Sequence, residues 1–114
     1  MSPTHSAFTQ RAIALYALGR FEETITAVLN TIRLLQDRVE GATSDEEVIR
    51  LKAYLSLAHN NRGSALQETG QVMRAIEDYT VAIQPNPQLG EAFYNRATAF
   101  AVLGKTIEAK QDLD

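Results

Sequence analysis

The sequence predicts an all-α fold, an α-solenoid built from stacked antiparallel helix-turn-helix units. Three observations predict it. Between Leu57 and Asp114, small and large residues recur at a constant offset of 34 residues. Gly63, Leu66, Gly70, Ala75 and Tyr79 return as Ala97, Phe100, Gly104, Ala109 and Leu113, and Asn61-Arg62 returns as Asn95-Arg96. A fixed period of this length marks units too small to bury their own apolar face, which stack to share a core. Apolar residues also fall at three- and four-residue spacing, which places them on one helical face. Gly and Pro stand where those stripes stop.

The elements follow in order. Residues 4–18 read as a helix, with Thr4 as N-cap and Phe8, Ala12, Leu15 and Leu18 in one stripe. Gly19 stops it, because Gly takes the left-handed conformation at low cost. A second helix runs from Phe21 to about Val39, with Ile25, Val28, Leu29, Ile32, Leu35 and Val39 on its apolar face, and ends at Gly41. This pair is a worn copy of the unit, over 5–38. Gly19 precedes Gly70 by 51 residues, one period plus a 17-residue insertion at 39–55. The insertion is helical. Ser44 followed by Asp45-Glu46-Glu47 has capping-box spacing, and the acidic turn suits the positive end of a helix dipole. One long helix is expected over 45–69, so the insertion lengthens two facing helices around a tight turn at 41–44. Gly70 closes it. Helices follow over 72–83, 89–103 and 106–114, divided by Pro85-Asn86-Pro87 and Gly104. Proline disfavours helix at the residue before it and removes a ladder donor. The units are therefore 5–38, 56–89 and a truncated 90–114.

Bulk composition narrows the function classes. The 114 residues suffice for one domain, 1–114. Cysteine is absent, so no disulfide framework or thiolate metal site exists and a reducing compartment fits. A formal net charge of −3 lacks the basic face of a nucleic-acid binder. Arg, Glu or Asn breaks every apolar run before membrane-spanning length. The first residues, Met1-Ser2-Pro3-Thr4-His5, carry no signal-peptide pattern. The expectation is a cytoplasmic domain, with neither nucleic acid nor membrane insertion.

The recurring positions resemble the tetratricopeptide repeat. Small residues at the eighth, twentieth and twenty-seventh places of each unit let helices approach: Gly63, Ala75 and Ala82, then Ala97 and Ala109. Large ones lie between them: Leu66 and Tyr79, then Phe100 and Leu113. Pro87 stands where that family ends its second helix. The resemblance covers about four fifths of the chain, omitting the insertion. The first unit departs from the pattern, with Thr24 and Thr31 where Ala is usual, and His59 stands where an aromatic is expected. The resemblance implies a right-handed superhelix. Independently of it, a Gly or Ala on each helix facing another Gly or Ala shortens the interaxial distance. Each large side chain fully buried between them contributes roughly 1.5–3 kcal/mol. Gly63→Leu is expected to force its helix pair apart.

No catalytic constellation is evident. Neither His5 nor His59 has a second ligand at zinc spacing, and His59 occupies a core-type position. Asp45, Glu46 and Glu47 point three ways around a helix, which suits a cap better than a metal. No glycine-rich phosphate loop occurs. The chain is therefore expected to have no catalytic or metal residues, no cofactor and no enzymatic activity. Arg11, Arg62 and Arg96 share the seventh place of each unit. They invite an anion site, but packed stems with heads in water or on nearby carboxylates explain them better.

In tetratricopeptide proteins the first helices of successive units line a concave groove for a peptide or a partner helix. Carried onto this chain, the groove takes Thr9, Gln10, Ile13 and Tyr16 from the first unit. Asn60, Asn61, Ser64, Gln67 and Glu68 come from the second, and Glu91, Tyr94, Asn95, Thr98 and Val102 from the third. Amides can satisfy peptide backbone groups without reading side chains, and Tyr16 and Tyr94 can cover an apolar one. Family members that hold the acidic tails of heat-shock chaperones use a clamp of Lys, Asn and Arg. Only Asn61 matches it; Thr9, Ile13, Glu91 and Asn95 occupy the other places, and Glu91 would repel a carboxylate. The leading expectation is a protein-interaction module with a scaffold or adaptor role, in which Asn61→Ala with Asn95→Ala abolishes capture and preserves helicity. The alternatives are self-assembly through Phe100, Ile107 and Leu113 on the uncapped last helices, and a substrate-presenting segment of a larger protein.

Overall fold

Each stretch expected to be helical is helical. The computed structural model describes residues 5–86 and 89–114, which form α1 (His5–Ala17), α2 (Phe21–Glu40), α3 (Asp45–Glu68), α4 (Val72–Ile83), α5 (Gly90–Val102) and α6 (Thr106–Leu113). Thr4 as N-cap and Pro87 as terminator lie outside the described residues, as does the His5 side chain.

The helix ends follow from local chemistry. Gly19, Gly70 and Gly104 take φ of +76°, +82° and +76°, the left-handed region that a side chain resists. That turn lets the next residue's N–H reach back to an unpaired carbonyl of the last turn. Arg20 donates to the Leu15 carbonyl (2.9 Å), Gln71 to Leu66 (2.8 Å) and Lys105 to Phe100 (2.8 Å). Gly41 ends α2 differently. It stays right-handed at φ −90°, and its N–H donates to the Asp37 carbonyl. Across the tight turn Ser44 caps α3: its backbone is extended and its Oγ accepts from the Glu47 N–H at 3.2 Å. The insertion is thus the continuation of two facing helices. At 1.5 Å per residue, the 20 residues of α2 and 24 of α3 run about 30 and 36 Å. Leu35 and Leu51 are buried on this extended pair.

Each helix packs against the one before it and the one after it. Beyond these neighbours, α1 approaches α3 and α3 approaches α5 to within 8 Å between Cα atoms, while no two of α2, α4 and α6 come that close. A stack whose members meet on one side and part on the other is hollow on the side where they meet. That side belongs to α1, α3 and α5. The Cα extents of 46 × 32 × 16 Å are those of a short slab. No described helix is long and apolar enough to cross a membrane.

Two apolar clusters hold the stack. Ala12 and Leu15 pack with Ala27, Val28, Ile32 and Ala58, with Leu55 at the edge. Leu66, Ala75 and Tyr79 pack with Ala99, flanked by Ile25, Val72 and Ile76. The second cluster corrects one expectation. The atoms that face Gly63 most closely are not those of a small residue but of the Tyr79 ring. A Cβ built on Gly63 would lie 2.6 Å from Tyr79 Cε1 and 2.8 Å from Cδ1. Tyr79 has no exposed surface, and its hydroxyl donates to Gln67 Oε1 at 2.8 Å. Burial pushes the phenol up to about 12. On α6, Ile107 and Leu113 are exposed, whereas Phe100 on α5 is half-buried.

Candidate functional site

The hollow side gathers most of the expected groove residues. A cavity of about 320 Å³ lies between α1, α3 and α5, walled by Ile13 and Tyr16, Asn61 and Ser64, and Glu91 and Asn95, with Ala12 and Thr24 behind them. A smaller hollow of about 150 Å³ shares Tyr16, Ser64 and Asn95 with it and adds Gln67, Glu68, Tyr79 and Thr98. Helical spacing explains the gathering. Asn61 and Ser64 are three residues apart on α3, as are Ile13 and Tyr16 on α1, so each pair shares a face.

Five expected residues are placed elsewhere. Thr9 and Val102 line neither hollow, and Val102 is exposed at the end of α5. Asn60 is 1 % exposed and closed to a partner. Gln10 is exposed on α1 and lines neither hollow. Tyr94 is 60 % exposed and borders a separate hollow with Phe93 and Leu113. Asn60 is buried because it is spent between helices. Its Oδ1 accepts from Asn95 Nδ2 at 3.1 Å, joining α3 to α5. Ser64 Oγ donates back to the Asn60 carbonyl at 3.2 Å, and Thr98 Oγ1 to the Asn95 carbonyl at 2.7 Å. Gln67 Nε2 makes a long contact of 3.5 Å to Thr98 Oγ1. Among the described residues, nothing is hydrogen-bonded to the Asn61 amide. It is the groove amide with both its donors and its acceptor open.

The electrostatics of the two hollows are one-sided. Glu91 borders the larger and Glu68 the smaller, and no Lys or Arg lines either. Tyr16 lines both. Burial raises its hydroxyl above the ordinary phenol value, and the nearby negative charge of Glu68 raises it further. The Tyr16 ring is fixed by Phe21, edge to face at 5.2 Å.

The repeated arginines are turned to another task. Arg62 makes a two-pronged bond to Asp78 on α4, Nε to Oδ2 at 2.8 Å and Nη2 to Oδ1 at 2.7 Å. His59 Nδ1 adds a third contact to Asp78 Oδ1 at 3.0 Å; a carboxylate only accepts, so Nδ1 carries the proton. Burial alone would raise the Asp78 carboxyl, but the bonds from Arg62 and His59 outweigh it and hold the group below the usual carboxylate range. The bond to Asp78 in turn raises Arg62. One period later Arg96 grips Asp112 at 2.8 and 2.6 Å and reaches Thr80 Oγ1 at 3.1 Å, between the faces of Phe93 and Phe100. Sequence reasoning placed the arginine heads in water or on nearby carboxylates and named no carboxylate. The signal was present, since Asp78 and Asp112 stand one period apart and each follows its arginine by 16 residues. In the first unit the corresponding place is Ala27, so Arg11 has no such carboxylate there.

Comparison with known proteins extends the picture. No family model matches the chain. A curated relative, "TPR repeat-containing protein YvcD" of Bacillus subtilis (strain 168), is 27% identical over 93 residues, covering 82% of this chain. The match spans 18% of that relative's length. Among solved structures, the second TPR of Spaghetti (RPAP3), bound to the HSP90 peptide SRMEEVD, superposes with a TM-score of 0.76 at 25% identity, covering 96% of this chain and 86% of that one. Both comparisons support the repeat family that the spacing resembles.

Proposed function

We propose that this tetratricopeptide-repeat chain is a protein-interaction module that binds an extended peptide in the hollow along α1, α3 and α5, serving a scaffold or adaptor role. The observation that carries the proposal is the open amide of Asn61 in a hollow walled by Ile13, Tyr16, Ser64 and Asn95. Its amide offers two N–H donors and a carbonyl acceptor to a peptide backbone, while Ile13 and Tyr16 offer apolar surface to a side chain. The peptide-bound structural neighbour supports the same reading of the fold. We also assign the repeats as 5–38, 56–89 and 90–114, with 39–55 an insertion into the helix pair that precedes the second.

The test is selection of a displayed random heptapeptide library on the immobilised chain, repeated on Asn61→Ala. Peptides retained by the parent and lost by the variant support the groove. Equal retention by both, or none by the parent, contradicts it. Asn95→Ala is not a clean probe. It would strip the buried Asn60 Oδ1 of its donor and cost about 1–3 kcal/mol of stability, so the double variant expected to preserve the fold would also weaken it.

A further inference from the structure

The charges around the hollow say what kind of peptide it takes. Its lining includes the carboxylates of Glu91 and, past Tyr16, Glu68, and no Lys or Arg. Of the three arginines that recur with the repeat, Arg62 and Arg96 cannot supply one, since each guanidinium is locked on its own aspartate, at 2.7 and 2.6 Å, between α3 and α4 and between α5 and α6. Arg11 lines neither hollow. An acidic peptide entering here would bury its charge beside like charge with no cation to meet it. A cationic side chain would find the reverse. Its methylene stem has Ile13 and the braced Tyr16 ring to lie along, and its head has Glu91 to pair with beside the Asn61 and Asn95 amides.

We infer that the hollow selects peptides bearing a lysine or arginine and rejects acidic ones. This inference rests on the groove reading above and adds the charge of the occupant. It sets the chain apart from its structural neighbour, whose bound peptide SRMEEVD carries three acidic residues and one basic one.

The experiment uses two heptapeptide libraries, randomised except for a central Lys in one and a central Glu in the other, passed over the immobilised chain at low and high salt. The Lys library is expected to be retained about tenfold more strongly than the Glu library at low salt, an advantage that shrinks with added salt. Glu91→Lys, on an exposed residue, should reverse the preference. Asn61→Ala should lower retention of both libraries. Equal or stronger retention of the Glu library, still dependent on Asn61, overturns the charge inference and leaves the groove reading standing. Retention indifferent to Asn61→Ala, or absent for both libraries, overturns the two together.

Discussion

Two single atoms, one missing and one stranded, show how closely this chain is packed. The missing one is the Cβ of Gly63, whose place the Tyr79 ring occupies. A buried ring hydrogen-bonded through its hydroxyl cannot swing aside, so Gly63→Ala should destabilise by about 1–3 kcal/mol, read as a lower urea midpoint at unchanged slope. A midpoint equal to the parent's would mean that the ring is not the wall it looks like. That Gly63 had to be small was legible from the period. That an aromatic ring filled the gap was not, because the period gives spacing and not which residue faces which. The stranded atom is Ser56 Oγ, fully buried with no hydrogen-bond partner among the described residues. Removing an unsatisfied buried hydroxyl relieves its desolvation cost, so Ser56→Ala should leave stability unchanged or raise it by about 1 kcal/mol in the same urea measurement. A loss above that size would reveal a bond the hydroxyl makes.

At the scale of elements, the helices are joined by two different devices, one apolar and one ionic. The ionic device repeats: Arg62–Asp78 ties α3 to α4, and Arg96–Asp112 ties α5 to α6. Because the folded state holds the Asp78 carboxyl below its ordinary value, the unfolded chain takes up the proton first as pH falls. The stabilisation is therefore complete above the unfolded carboxylate value, about 4, and is lost as pH drops through the lower folded value. Asp78→Ala should cost about 3 kcal/mol near neutrality, since it leaves Arg62 partly buried and unpaired, and should flatten the acid limb of a plot of stability against pH. An unchanged acid limb would remove Asp78 from that role. The alkaline side has its own marker. Tyr79 is raised to about 12, so stability should fall as pH climbs from about 10, where the unfolded phenol ionises, toward that value. Element boundaries were legible because chemistry marks them in the chain: Gly19, Gly70 and Gly104 supply left-handed turns, and Ser44 with Glu47 writes its own cap. The Asn60–Asn95 bond was not legible. It spans 35 residues, one off the period, so a repeat-by-repeat reading treats both amides as groove residues when one is a buried strut.

At the scale of the molecule, contact between α1, α3 and α5 makes the hollow, and the long α2–α3 pair stands beside it. Ile13, Tyr16, Asn61, Ser64, Glu91 and Asn95 were expected to meet, and they share one cavity, because the period that aligns helices also aligns their faces. Gln10 and Tyr94 fall outside it: Gln10 stands exposed one turn before Ile13, and Tyr94 faces a separate hollow with Phe93 and Leu113. The central claim is that this hollow is where a peptide binds. It is tested most directly by nitrogen-15 NMR, titrating the labelled chain with the heptapeptide most strongly retained from the Lys-centred library. The account predicts shift changes at the backbone amides around Ile13–Tyr16, Asn61–Ser64 and Glu91–Asn95, with α2, α4 and α6 nearly silent. Changes concentrated on the exposed face of α6 around Ile107 and Leu113, or an unperturbed spectrum at saturating peptide, would contradict it.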